Sequence, residues 1–174
     1  MKRVRIATVV AIIILSAITW SAAPAGANAP DRQPGLLTIA GTYPAGVACP
    51  FAVSFEIVAG GEGQIFTFVD NEGNLVRLLN TARPMTWLVT NLDTDATYTF
   101  TGRGGVSKIT PSADGTTTVE VSGGIIGFNT PTDTPPGPFA LSIEGHLVFL
   151  IAADGTGTLT QVTGKTTDLC AAVS

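Results

Sequence analysis

Past residue 50 the chain alternates apolar and polar positions with a period of two rather than 3.6. Val53, Phe55 and Ile57 alternate with Ser54, Glu56 and Val58, Tyr98 and Phe100 alternate with Thr97, Thr99 and Thr101, and Val119 and Val121 flank Glu120. Successive side chains of a strand point to opposite faces, so these runs read as half-buried strands, and no helical stripe competes with them. Gly60-Gly61, Asp70 to Gly73, Asp114-Gly115 and Asp154-Gly155 fall between the runs, where Gly and Asp supply the positive φ that tight hairpins demand. The pattern predicts strands near 51–59, 64–69, 74–79, 85–91, 96–102, 106–110, 116–122, 139–144, 146–152 and 157–163. The fold class is therefore all-β: a single antiparallel β-sandwich or partly closed barrel of about 9–10 strands.

One echo and two irregular stretches refine this. Ala113-Asp114-Gly115-Thr116 returns forty residues later as Ala153-Asp154-Gly155-Thr156. Two copies are too few to close a propeller, so the same hairpin solution is used twice. Residues 28–35, with Pro30 and Pro34, read as an extended arm, and residues 129–138 carry four prolines. Proline lacks the ladder donor, so the second stretch, residues 129–138, cannot form a strand interior. The second is expected to carry the chain from one sheet to the other. Only 36 residues follow it, too few for a second core.

The amino terminus has a different character. Lys2, Arg3 and Arg5 precede an apolar run from Ala7 to Leu15 in which Thr8 is the one polar residue, and Ala25-Gly26-Ala27 places small residues two apart. A cationic start, a short apolar core and small residues form a secretory signal peptide, with cleavage expected after Ala27. Cutting after Ala29 would set Pro30 against the scissile bond, where its ring hinders a protease. The competing reading is an uncleaved anchor, since the apolar stretch reaches spanning length if Ser16, Thr19 and Ser21 are tolerated. No cysteine lies near the cleavage position and no arginine pair opens the chain, which leaves general secretion as the route. The domains are thus a signal peptide at 1–27, an arm at 28–47 and an all-β domain at 48–174, located outside the cell.

Removing Lys2, Arg3 and Arg5 leaves six of nine basic residues against thirteen acidic ones, a formal charge of −7. An acidic surface repels polyanions, so nucleic acid is not an expected partner, and neither is a membrane once the signal is gone. Cys49 and Cys170 both lie in the exported part. In an oxidising compartment an even pair reads as one disulfide, closing a loop of 121 residues. Neither cysteine has a basic neighbour or a second ligand that would suit a reactive thiol or a metal site.

Several short motifs add a resemblance. Cys49-Pro50-Phe51 before an alternating run, Thr90-Asn91-Leu92 before a threonine-rich strand, the two Ala-Asp-Gly-Thr turns, Gly145-His146, and Asp168-Leu169-Cys170 resemble a group of small secreted actinobacterial all-β proteins of unknown function. The likeness covers about residues 48–174 and departs from the group's pattern at His146, where arginine is commoner, and at Gly123-Gly124, where Gly-Arg is commoner. It implies a cysteine pair joining the two ends of an all-β domain. It transfers no catalytic residue.

Candidate chemistry is sparse. His146 is the single histidine, so any Ser-His or Cys-His nucleophile would have to be built on it. Its place between Gly145 and Leu147 reads instead as a strand position with a satisfied imidazole. Glu56, Glu120 and Glu144 lie in predicted strands, where a pair of facing carboxyls could serve glycoside hydrolysis, although each alternates with apolar neighbours as a solvated sheet face does. Asp93-Thr94-Asp95 and Asp70-Asn71-Glu72-Gly73-Asn74 offer oxygens at alternate positions but lack the spacing of a calcium loop. No catalytic residue, metal or cofactor is assigned. The expected function is a secreted, non-enzymatic β-domain with a binding or cell-envelope role toward an extracellular protein or glycan. The alternatives are a carboxylate hydrolase and a carrier of a small apolar ligand, in which Phe51, Phe55, Phe66, Phe68, Trp87, Phe100, Phe128 and Phe149 line a cavity rather than fill a core.

Overall fold

The computed structural model describes residues 29–174, so the expected signal peptide and its expected cleavage after Ala27 lie outside the described residues. Among the described residues the strands follow in the order β1 (Asp31–Pro34), β2 (Gly41–Tyr43), β3 (Val53–Gly60), β4 (Gly63–Val69), β5 (Leu75–Ala82), β6 (Met85–Asn91), β7 (Thr97–Gly102), β8 (Gly105–Pro111), β9 (Thr117–Asn129), β10 (Phe139–Ile151) and β11 (Gly157–Asp168), and one short helix, α1 (Leu169–Ala172), closes the series. They form two antiparallel sheets, one of seven strands ordered β1-β4-β5-β8-β9-β10-β11 and one of four ordered β2-β3-β6-β7. Neither sheet closes on itself as a barrel. No helix among the described residues is long and apolar enough to cross a membrane.

The alternating runs become strands as expected, and the differences concern glycine and the arm. β10 is one strand through Gly145 rather than two, β9 continues through Gly123-Gly124 to Asn129, and β11 continues through Gly164 to Asp168. Within the arm, residues 31–34 pair with β4 as β1 and residues 41–43 pair with β3 as β2.

Gly63, Gly105, Gly123, Gly145 and Gly164 lie with Ala82 in one line across the sheet. Gly63 pairs with Ala82, Ala82 with Gly105, Gly105 with Gly123, Gly123 with Gly145, and Gly145 with Gly164. This row of small residues crosses six neighbouring strands. A Cβ at Gly145 would overlap the Thr163 carbonyl oxygen, and one at Gly123 would overlap the Gly104 carbonyl oxygen. The row is a crease along which the sheet folds. Gly127 pairs with Leu141, and Leu147 lies six residues further along β10, about 20 Å in a straight strand. Yet the Leu147 and Ile143 methyls both come within van der Waals reach of Gly127, at 3.8 and 3.7 Å from where its Cβ would be. Ile143 and Leu147 are consequently buried, at 1% and 7% exposure, although they face away from the main core.

The crease also explains the proline-rich connection. Residues 130–138 do not pass from one sheet to the other, as the sequence suggests, but join β9 to its neighbour β10 in the same sheet. Folding at the crease brings this loop to the far end of β11, where the Thr134 N–H donates to the Gly157 carbonyl at 2.8 Å and the Leu159 N–H donates to the Thr134 carbonyl at 2.7 Å. Asp133 holds the loop in place, its carboxylate accepting from the N–H groups of Gly157 (2.7 Å) and Thr130 (2.6 Å) and from the Thr130 hydroxyl (2.9 Å).

The main core lies where the four-stranded sheet packs on the ends of β9 and β10 and on α1. Val53, Phe55, Met85, Trp87 and Val89 meet Ile126, Ala140, Leu169 and Val173 there. Tyr43, Phe55 and Phe128 form an aromatic group with ring centroids 4.9 to 6.5 Å apart. Cys49, ahead of β3, bonds Cys170 in α1 with their Cα atoms 5.5 Å apart. Beside the disulfide, the Asn91 side chain at the end of β6 donates to the Val173 carbonyl at 3.0 Å. The Asp168 carboxylate caps α1 by accepting from the Ala171 N–H at 3.0 Å.

The two Ala-Asp-Gly-Thr segments are indeed one turn used twice. In each, an aspartate oxygen accepts from the backbone N–H and the hydroxyl of the threonine two residues on, Asp114 from Thr116 at 3.0 and 2.7 Å and Asp154 from Thr156 at 2.9 and 2.7 Å. The threonine hydroxyl and N–H hold both carboxyls below their ordinary value of 3.8. A depressed folded pKa contributes stability that is complete above the unfolded pKa and fades as pH falls through the folded one. We expect carboxyl NMR titrations of Asp114 and Asp154 to show midpoints below 3.8, and Asp114→Asn with Asp154→Asn to flatten the acid limb of the stability curve between those midpoints and 3.8.

Two glycine substitutions separate crease from turn. Gly145→Ala places a methyl against backbone and should cost about 2 kcal/mol or more in urea unfolding. Gly155→Ala, whose Cβ meets nothing within 4 Å, carries only the strain of φ +87°, about 1 kcal/mol. Replacing Cys49 and Cys170 together by serine removes a constraint worth about 5 kcal/mol in the chain-entropy account, so the melting temperature should fall by several degrees or more. Unreduced protein should show no titratable thiol after denaturation.

Candidate functional site

Strand register assembles the chain's chemistry on one face of the seven-stranded sheet. Arg32, Phe66, Leu79, Lys108, Glu120, Val148 and Gln161 stand side by side across β1, β4, β5, β8, β9, β10 and β11. On the crease side of this row, two residues along each strand, lie Thr81, Val106, Ser122, His146 and Thr163. On its other side lie Phe68 and Arg77, opposite one another on β4 and β5, then Thr110, Thr118, Leu150 and Thr158. Val106 and Leu150 are 42% and 40% exposed, so no second layer covers these positions.

Three side-chain arrangements occupy the face. Lys108 donates to Glu120 at 2.9 Å, with both side chains about 40% exposed. The Ser122 hydroxyl and His146 Nδ1 lie 2.9 Å apart as a cross-strand pair. At the β4 end two guanidinium groups stack on aromatic rings, Arg77 with its central carbon 4.0 Å from the Phe68 centroid and Arg32 at 5.7 Å from that of Phe66. A register shift between Phe68 and Val69 brings Phe68 opposite Arg77. The Asp70 to Asn74 turn between them is closed by the Asp70 carboxylate, which accepts from the Glu72 and Asn74 N–H groups, both at 2.9 Å.

The residues singled out from sequence fare differently. Cys49 and Cys170 are bonded to one another. Of the three glutamates, Glu56 is exposed on the four-stranded sheet, while Glu144 sits opposite Gly124 and Glu120 opposite Val148. The last two stand on either side of the Gly123–Gly145 crease, and Glu120 is ion-paired with Lys108 at 2.9 Å. His146 is hydrogen-bonded, as expected, with Ser122 as its partner. The Asp93 N–H donates to the Asn91 side chain at 3.0 Å, and Asp95 adopts φ +60° in the same β6–β7 turn, so this segment is a turn. Among the described residues no group of three or more His, Cys, Asp or Glu side chains is close enough to hold a metal ion. Phe51, Phe55, Trp87, Phe100 and Phe128 belong to the main core, whereas Phe66 and Phe68 lie under Arg32 and Arg77.

Sequence reasoning did not find Arg32, Arg77 and Lys108. They are 76 residues apart from first to last and converge only through register. The Asp70 to Asn74 turn alone would set Phe68 opposite Val76, and only the register shift between Phe68 and Val69 brings Phe68 opposite Arg77, so nothing local in the sequence signals the pair directly. Compared with protein families, curated proteins and solved structures, the chain matches none.

The Ser122 and His146 pair has a direct check. Ser122→Ala removes one exposed cross-strand hydrogen bond, and unfolding free energy should change by less than about 0.5 kcal/mol. A fluorophosphonate probe should leave Ser122 unlabelled by mass spectrometry, because the hydroxyl sits on an open strand face.

Proposed function

We propose that this is an exported, disulfide-tied β-protein that works by binding rather than by making or breaking bonds, and that it binds through the open face of the seven-stranded sheet. The observation that carries this reading is the segregation of charge. Three of the six basic residues outside the signal segment, Arg32, Arg77 and Lys108, gather with Phe66, Phe68 and Leu79 on one face of a protein whose exported part carries −7. A guanidinium stacked on a ring leaves its in-plane donors unused by the stack, which suits recognition of polar or anionic groups. The acidic remainder of the surface opposes association elsewhere with anionic partners and leaves this face as the favourable approach.

Isolation of the native protein from the secreting cell, with mass spectrometry of whatever accompanies it, tests the reading. The wild-type protein should carry a component that the Arg32→Gln, Arg77→Gln, Lys108→Gln triple variant loses while keeping its β-sheet circular dichroism. A component retained by that variant but lost on substituting the exposed Thr97, Thr99 and Thr101 of β7 would move the binding surface to the other sheet and overturn the proposal.

A further inference from the structure

We infer that Arg77, with Lys108 and Thr110, forms an oxyanion site that takes the head group of a small monoanionic ligand whose body is apolar. The inference rests on the binding reading above and names the ligand class for the β4–β5–β8 end of the same face.

Arg77 is half-buried and stacked 4.0 Å over Phe68. Its Nε is shielded from solvent and has no hydrogen-bond partner. The ion pairs among the described residues are Arg83 with Glu62 and Lys108 with Glu120, so no carboxylate of the fold neutralises Arg77. An Nε–H withdrawn from water without an acceptor loses hydration that ring stacking does not replace, since the ring meets the guanidinium plane and leaves the in-plane Nε–H unsatisfied. A bidentate oxyanion restores both charge and hydrogen bonds.

The surroundings define the rest of the ligand. Arg77 lines a shallow depression of about 370 Å³ with Phe68, Val69, Val76, Lys108 and Thr110. Lys108, ion-paired with Glu120 from the neighbouring strand at 2.9 Å, adds ammonium donors but no net charge, and the Thr110 hydroxyl is a further donor, so the charge offered by the lining is that of Arg77. Beyond these three polar groups the lining is apolar, and Val76 and Leu75 beside it are 48% and 37% exposed. An apolar body lying along Val69 and Val76 would cover them. The charge of −7 on the exported chain disfavours ligands with several negative charges, which selects one anionic head.

The test uses the exported protein, with octanoate below its micellar concentration as probe. Titration followed by NMR should shift the Arg77 Nε–H and the Phe68 ring resonances. Octanol, which lacks the charge, and inorganic phosphate, which lacks the body, should each bind at least tenfold more weakly. Arg77→Gln should weaken octanoate binding at least tenfold, and Arg77→Lys, which keeps charge and stem but not the planar fork, should fall between. Equal octanoate affinity in wild type and Arg77→Gln would overturn the site, as would an absence of octanoate binding at millimolar concentration. Binding to phosphatidylglycerol vesicles without binding to octanoate would also overturn it, because the head group would then need a membrane to present it. A native partner that still depends on Arg32, Arg77 and Lys108 after octanoate has failed would leave the binding face intact and remove only this ligand class.

Discussion

Where six strands cross the row from Gly63 to Gly164, the carbonyls and α-carbons of adjacent strands fill the volume that a methyl group would need. That backbone-to-backbone approach is a steric requirement, and the rest of the molecule is arranged around it. Strands of twelve or thirteen residues, as β9, β10 and β11 are, would run about 40 Å if straight and would leave both faces of a large sheet in water. Folding at mid-length instead lets one sequence of strands serve two purposes. The β9 and β10 ends beyond the crease contribute Ile126 and Ala140 to the main core, while the portions before it display Lys108's partner Glu120, together with Ser122 and His146, on the open face.

The crease also determines what the disulfide has to do. With β9 to β11 turned away from the plane of the lower sheet, the last strand and α1 come to lie against the segment ahead of β3, where Ala48, Cys49, Leu169 and Cys170 are all buried. The Cys49–Cys170 bond and the Asn91 to Val173 hydrogen bond secure the side on which the two sheets share no ladder. A sheet that folds without closing leaves such a side, and a covalent tie holds it at little cost in buried polar groups.

Most of the architecture was legible in the sequence because strand alternation is a local signal. Val53 to Ile57 and Tyr98 to Phe100 needed no tertiary information to be placed. Glycine was the ambiguous letter. Gly115 and Gly155 end strands at hairpins, whereas Gly123, Gly145 and Gly164 lie within strands, and nothing beside them in sequence says which role applies until they are seen in register. The proline-rich loop was misplaced for the same reason, since its contact with Gly157 exists only once the sheet has folded. The face proposed for binding was the least legible part. Arg32, Arg77 and Lys108 belong to three strands whose pairing order, β1-β4-β5-β8, skips two excursions into the other sheet.

The loop held by Asp133 has one more effect. The outermost strand of an open sheet offers unpaired N–H and C=O groups that can template a strand from another molecule, which is how ordered aggregates begin. At the far side of the seven-stranded sheet β1 is four exposed residues ending in Pro34, a poor template. At the near side, Thr134 already occupies the Gly157 carbonyl and the Leu159 N–H. The loop thus acts as a built-in decoy strand, and on this edge of the seven-stranded sheet a template would have to start on β11 beyond Leu159, where the next residues are Thr160 and Gln161 and the chain soon bends at Gly164.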